Sequence, residues 1–178
     1  EKDSGQLTRS AFASDKNGNL YYLGQDGKAL TGSQVIDNIT LYFYPNGVQA
    51  KDAFVILDGN SYYFQKDTGQ LVRDRFWSDD DGNWYYSDKE GKLLTGEQTI
   101  DGFDMYFYPD GVQAKGEIVT IGIEPYYFDK DSGHKVINTD ITINGKTYHA
   151  EANGLLIETE QKLPQRPLVS GGHFQEDS

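Results

Sequence analysis

The sequence predicts an all-β chain, a β-solenoid of stacked β-hairpins, on three observations. The stretch Tyr42-Phe43-Tyr44-Pro45-Asn46-Gly47-Val48-Gln49-Ala50-Lys51 returns at residues 106–115 with one change, Asn46 to Asp110. Shifted by 64 positions, the chain overlays itself without a gap: Phe12 falls on Phe76, Tyr21-Tyr22 on Tyr85-Tyr86, and Leu30-Thr31-Gly32 on Leu94-Thr95-Gly96. Within each period, short aromatic runs are led by Tyr21, Tyr42, Tyr62, Tyr85, Tyr106, Tyr126 and Tyr148, which lie 20 to 23 residues apart. A unit of that length is one hairpin plus a connector. An isolated hairpin is marginal in water, so each must bury its aromatic face against its neighbours.

The first element is half a hairpin. Residues 1–9 contain Gly5-Gln6-Leu7-Thr8-Arg9, the pattern that elsewhere follows an aromatic strand and a turn, so the partner strand is expected before residue 1. Three hairpin types then alternate. One has Gly27-Lys28-Ala29-Leu30-Thr31-Gly32 after its aromatic strand, repeated as Gly91-Lys92-Leu93-Leu94-Thr95-Gly96. The next is the Val-Gln-Ala-Lys type, with an aromatic strand, a Pro-Asn/Asp-Gly turn and a short second strand. Alternation puts Tyr42 and Tyr44 on one face and Phe43 on the other, while Gln49 and Lys51 share a face. Whether Tyr42 and Gln49 face the same side depends on the turn. A two-residue turn aligns them and a glycine bulge shifts the pairing by one, and both remain open. The third type carries Gly69-Gln70-Leu71-Val72-Arg73 and a degenerate Gly133-His134-Lys135-Val136-Ile137.

A third long period begins at Asn144-Gly145-Lys146-Thr147-Tyr148 and decays into Gly154-Leu155-Leu156-Ile157-Glu158. Tandem repeats are thus expected over residues 1–157. Residues 158–178 read as a connector marked by Pro164 and Pro167. Residues 174–178 resemble Phe76-Trp77-Ser78-Asp79-Asp80, so a further repeat is expected beyond them.

Composition narrows the function. The 178 residues carry net charge −12, with no cysteine, 20 glycines, 13 tyrosines, 9 phenylalanines and 2 tryptophans. No basic stripe exists to neutralise phosphates, which argues against nucleic acid, and the acidic balance disfavours an anionic membrane or wall polymer. Aromatic residues between turns must supply most of the burial, and Phe43, Phe64, Phe107 and Phe128 are read as core. Carboxylates such as Asp26, Asp101 and Asp110 sit beside turn glycines, where Asp is expected for backbone reasons. Stacked hairpins offer no deep cleft for an opposed catalytic pair, so no catalytic residue is assigned. His134, His149 and His173 lack metal-ligand spacing, and no cofactor or metal is expected. Asp15-Lys16-Asn17-Gly18-Asn19 and Asp79-Asp80-Asp81-Gly82-Asn83 alternate oxygens as calcium loops do, but the glycine is misplaced and no glutamate closes the loop, so they read as turns. The positive signal is tyrosine, used where Phe or Val would fill space as well. An aromatic plate beside an amide and an ammonium suits a neutral polyhydroxylated ligand.

Repeats of the form aromatic-Tyr-Tyr-Phe, turn glycine, Thr-Gly and Ile-Asp/Asn-Gly resemble the bacterial cell-wall/choline-binding superfamily of repeats. Thr95-Gly96-Glu97-Gln98-Thr99-Ile100-Asp101-Gly102 and Gly111-Val112-Gln113-Ala114-Lys115 are most similar to the glucan-binding domain of glucansucrases, over residues 1 to about 157. That resemblance implies a β-solenoid whose sugar pockets combine a stacking tyrosine with a Gln-x-Lys pair. It implicates Gln49 and Lys51 with Tyr42 or Tyr44, and Gln113 and Lys115 with Tyr106 or Tyr108. Tyr62 and Tyr126, from the next hairpins, are placed to close the two pockets. Leu156 and Glu158 replace the pair in the last hairpin. The sucrose-cleaving machinery of that family is absent from this sequence. The resemblance therefore implies a secreted, monomeric binding module, continuous with a catalytic domain, whose partner is α-glucan, dextran or an isomalto-oligosaccharide. Two other readings belong to other classes. A choline-binding wall anchor cages quaternary ammonium between aromatics and typically has Trp after Thr-Gly, where this chain has Ser33 and Glu97. A structural or receptor-binding spacer is the third.

Overall fold

The computed structural model describes residues 11–159, and all regular structure in that span is β-strand. The half hairpin expected at residues 1–9, His173 and the connector beyond Thr159 lie outside the described residues. No helix among them is long and apolar enough to cross a membrane.

Seven hairpins follow one another. β1 (Ala11–Ser14) pairs with β2 (Leu20–Leu23), β3 (Gly32–Ile36) with β4 (Ile39–Phe43), and β5 (Ala53–Leu57) with β6 (Asn60–Phe64). β7 (Arg75–Ser78) pairs with β8 (Trp84–Ser87), β9 (Gly96–Ile100) with β10 (Phe103–Phe107), and β11 (Glu117–Ile121) with β12 (Glu124–Phe128). β13 (Thr139–Ile143) and β14 (Lys146–Ala150) are joined by a third strand, β15 (Leu156–Glu158).

The main ladder differs from the one read in the sequence. The aromatic strand β4 pairs along its length with β3, which precedes it, from Gly32↔Phe43 to Ile36↔Ile39. The segment after the Pro-Asn-Gly turn adds only a single bridge, Phe43↔Gln49. The turn joining β3 to β4 is Asp37-Asn38, and both residues have positive φ, 51° and 64°. Asp58-Gly59 and Asn144-Gly145 repeat that geometry, which matches the twist of antiparallel strands.

At the Pro-Asn-Gly turn, Gly47 donates its N–H to the Tyr44 carbonyl at 2.7 Å, and Tyr44 donates to Val48 at 2.8 Å. Three residues are thus enclosed, and Gly47 at φ 87° is the bulge. The bulge answers the register question. Gln49 stands opposite Phe43 and takes its face, while Ala50, which donates to the Tyr42 carbonyl at 2.8 Å, lies on the Tyr42 side.

The second to sixth hairpins are each tied to the one before through the backbone. Gln49 donates to Leu20, Leu71 to Thr40, Leu93 to Ser61, Gln113 to Trp84 and Lys135 to Asp104, all at 2.7–2.9 Å. Edge carbonyls left open by one hairpin are in this way satisfied by the next. Core phenylalanines fill the layers between, and Phe43, Phe64, Phe107 and Phe128 are at most 1% exposed. Each such ring contributes about 1.5–3 kcal/mol through burial.

The described chain divides into two compact units. One holds the residues up to Gln98 together with Tyr106–Gln113, and the other holds Thr99–Met105 together with the residues from Ala114 onward.

Candidate functional site

In the first unit, strand alternation and the bulge bring three of the sequence-predicted residues together. Tyr42, Tyr44 and Tyr62 all pack against the buried cluster Ala50, Val55, Phe64 and Leu71. The rings of Tyr42 and Tyr44 meet edge to face, 5.7 Å apart at 86°, and form an aromatic corner. Tyr42 also leans on Phe64 at 5.8 Å. Tyr106 and Tyr108 repeat the corner at 5.4 Å and 87°.

Gln49 and Lys51 are brought together at a different place, on the turn of the following hairpin. Gln49 Nε2 donates to the Thr68 carbonyl at 3.0 Å and Lys51 Nζ to the Asp67 carbonyl at 3.1 Å. The Gln49 side chain is 7% exposed, and its Oε1 is buried without a partner. Gln113 is 4% exposed, and in the second unit Lys115 Nζ donates to the Asp131 carbonyl at 3.0 Å.

These clamps explain why Gln-x-Lys occurs only in one hairpin type. The turns they hold are one residue longer than the others. Gly69 donates to Gln65 and Gly133 to Asp129, four residues back, whereas Gly47 and Gly111 reach only three back. The longer turn presents two carbonyls outward, and the amide and the ammonium satisfy them. Sequence reasoning missed this role. The signal available was the spacing from the core phenylalanine to the turn glycine, five residues for Phe64–Gly69 and Phe128–Gly133 against four for Phe43–Gly47 and Phe107–Gly111. In the last hairpin Leu156 takes the Gln49 position, pairs with Ala150 and is 5% exposed.

In the second unit, Tyr126 donates its hydroxyl to Glu124 at 2.9 Å, and the Lys135 ammonium lies 5.3 Å from its ring centre. Lys135 also pairs with Asp104 at 3.4 Å. The Thr99 hydroxyl, bonded to Asp104 at 2.6 Å, is the main cause holding that carboxyl below its ordinary range, and Lys135 adds to it. His134 stacks flat on Phe103, with ring centres 3.9 Å apart, and His149 Nδ1 lies 2.7 Å from Asp140.

A cavity of about 230 Å³ in the first unit is lined by Asp52, Tyr63, Lys66, Trp77, Asp79 and Asp80, among others. Its rings are already used. Trp77 is stacked between Tyr63 at 3.9 Å and Tyr85 at 4.4 Å, so both of its faces are covered. Trp77 Nε1 donates to Ser87 Oγ at 3.0 Å. The Asp79 carboxylate accepts from the Asp81 and Asn83 backbone, from Asn83 Nδ2 and from the Tyr85 hydroxyl. Burial works against its charge, but these hydrogen bonds outweigh it and hold its pKa below the ordinary value. The Asp-rich loop thus spends its oxygens on protein donors. Among the described residues no three acidic or histidine side chains gather as a metal site.

Burial, then the bond to Asp79, pushes the Tyr85 hydroxyl up to about 12, and burial with Asp52 pushes Tyr63 well above its ordinary value. A folded pKa raised above 10 contributes stability that is complete below pH 10 and is lost as pH climbs through about 12. Alkaline titration is therefore expected to unfold the chain in that window. Near-ultraviolet circular dichroism should collapse together with tyrosinate formation at these two positions, and Tyr85→Phe should shift the midpoint. Ionisation of both tyrosines with the fold intact would contradict the burial argument.

The choline-binding repeat profile matches residues 30–76 and 94–139, and a cell wall binding repeat profile matches residues 11–29 and 77–93. The chain is 45% identical over 147 residues to glucosyltransferase-S of Streptococcus mutans serotype c, covering 81% of this chain and 10% of that protein. It is 40% identical over 153 residues to glucosyltransferase-I of Streptococcus downei, covering 85% of this chain and 10% of that protein. The chain thus spans about a tenth of the length of these relatives. Choline binding protein F of Streptococcus pneumoniae has the same fold at 24% identity and a TM-score of 0.69, over 84% of this chain and 52% of that one. The first six hairpins, the backbone links between them and the residues of the aromatic corner all fall within the matched repeats, and the chain belongs to the choline-binding repeat family as a repeat-only binding module.

Proposed function

We propose that the chain binds α-glucan, as dextran-like chains or isomalto-oligosaccharides, and holds product polymer near a glucosyltransferase of which it is a part, outside the cell. The observation that carries this reading is the aromatic corner, built twice with the same geometry. Two tyrosine rings at right angles give a sugar one plate to stack on and one edge to rest against. Their hydroxyls remain polar groups able to meet sugar hydroxyls. Tyr62 closes the Tyr42/Tyr44 corner, and Lys51, anchored on the turn of the following hairpin, has N–H donors beyond the one given to Asp67. Gln49 sets the turn against which a sugar would lie. Tyr106, Tyr108 and Gln113 in the first unit are assigned the same kind of ligand, and so, separately, are Lys115 and Tyr126 in the second. Within each unit the hairpins are read as stacking in a β-solenoid, which repeats such surfaces at a regular interval.

The family name favours choline as a second reading. A quaternary ammonium needs a cage of open ring faces, and Trp77 has both of its faces covered. One binding assay separates the two. Dextran and isomaltotriose are expected to bind and choline chloride is not, with affinity nearly unchanged between low and high salt because the ligand is uncharged. Saturable choline binding with none to dextran, or a steep loss of dextran binding at high salt, would overturn the proposal.

A further inference from the structure

We propose that the Asp104–Lys135 pair is a specificity determinant, which makes the Tyr126 subsite in the second unit bind a neutral sugar more tightly than the Tyr62 subsite in the first. The inference deepens the glucan-binding reading and rests on it. Under the 64-residue shift, Tyr126 corresponds to Tyr62, Asp104 to Thr40 and Lys135 to Leu71. The backbone is the same at both places, since Leu71 donates to Thr40 and Lys135 to Asp104. Only the side chains differ, and they differ together.

Leu71 is 7% exposed and packs in the apolar cluster beside Tyr62. Its end lies against the turn glycine of the next hairpin, where a Cβ on Gly91 would come within 2.7 Å of it. Lys135 occupies the corresponding slot with its aliphatic stem, and a Cβ on Gly154 would come within 2.8 Å of Lys135 Cδ. The stem fills the leucine position while the ammonium emerges, as long cationic side chains do. It comes out beside the Tyr126 ring and meets Asp104, whose other support is the Thr99 hydroxyl. At the first subsite Val35 stands where Thr99 does. A sugar on Tyr126 therefore finds a charged donor and a charged acceptor at the ring's flank. A sugar on Tyr62 finds at the corresponding positions leucine and a threonine whose hydroxyl already accepts from Arg73. The charged pair beside that ring, Lys92–Glu90, is looser, with its ammonium side chain 40% exposed against 17% for Lys135. Adjacent hydroxyls of a neutral sugar can accept from Lys135 and donate to Asp104 at once, which a quaternary ammonium cannot do.

The test follows the ring resonances of Tyr62 and Tyr126 by NMR in the full chain during titration with isomaltotriose. Tyr126 is expected to half-saturate at about five- to tenfold lower concentration than Tyr62, the worth of one or two additional hydrogen bonds. Asp104→Thr with Lys135→Leu installs the first copy's residues and should bring the two rings within about twofold of each other, by weakening Tyr126 alone. The reverse transplant, Val35→Thr, Thr40→Asp, Leu71→Lys and Arg73→Ile, should tighten Tyr62 towards the Tyr126 value, a gain that misfolding does not mimic. Equal affinities in the wild type, or a difference that survives both transplants, would overturn the inference while leaving glucan binding intact. A response of both rings to choline chloride and of neither to isomaltotriose would overturn both.

Discussion

Gly69→Ala is expected to lower stability by about 2–5 kcal/mol, from a left-handed backbone without glycine and an overpacked contact. Gly69 sits at φ 73°, and a Cβ there would lie 2.3 Å from Gln49 Nε2 and 2.9 Å from the Ala50 carbonyl. Gln49 can retreat only by giving up its bond to Thr68, and the Ala50 carbonyl is backbone. Gly18→Ala is the control. It has the same handedness, φ 83°, but nothing within 4 Å, so it should cost only the backbone term of about 1–2 kcal/mol. Urea unfolding of the two variants measures the difference. In a double-mutant cycle, Gln49→Ala should recover part of the Gly69→Ala loss by removing one of the two clashes. Equal destabilisation by Gly69→Ala and Gly18→Ala would show that the Gln49 clamp does not press on the turn.

The largest functional effect is expected for long polymer. Linked sites on one chain raise avidity by about 10² to 10⁴ without any new contact. Tyr44→Ala opens one aromatic corner and Tyr108→Ala the other, and both tyrosines lie in the first unit. Either single variant should remove most of the advantage that long dextran holds over isomaltotriose, while isomaltotriose binding at the untouched corner stays within about twofold of wild type. The double variant should bind neither ligand at the corners. Tyr44 packs on the outside of the apolar cluster rather than within it, so the fold should survive, as circular dichroism would verify. Undiminished dextran avidity in the double variant would leave the corners as packing alone.

Much of this protein is legible from the sequence, because its order is local. Hairpins of about twenty residues are set by alternation and turn chemistry within one unit, so the all-β class, the repeat length and the four core phenylalanines can be read without coordinates. The tyrosines of the corner are equally legible, since residues two apart on one strand must share a face. What failed was the assignment of partners. The aromatic strand β4 was paired forward across Pro45-Asn46-Gly47, where the stronger local turn signal lies. Asp37-Asn38, with both residues left-handed, in fact makes the full ladder backwards to β3.

The roles of Gln49 and Lys51 were decided by tertiary structure alone. Sequence chemistry shows an amide and an ammonium and says only that they can donate; which acceptor they find depends on where the next hairpin's turn comes to rest. A one-residue bulge at Gly47 carries Gln49 to the Phe43 face, and one additional residue in the following turn exposes the carbonyls of Asp67 and Thr68 to it. The same holds for Lys135. It reads as a degenerate substitution for leucine until Asp104, 31 positions earlier, is found beside it. Alternation and turn residues act over a few positions and are written in the chain. Hydrogen-bond partners between hairpins are set by the sum of several small registers, and only the assembled backbone adds them up.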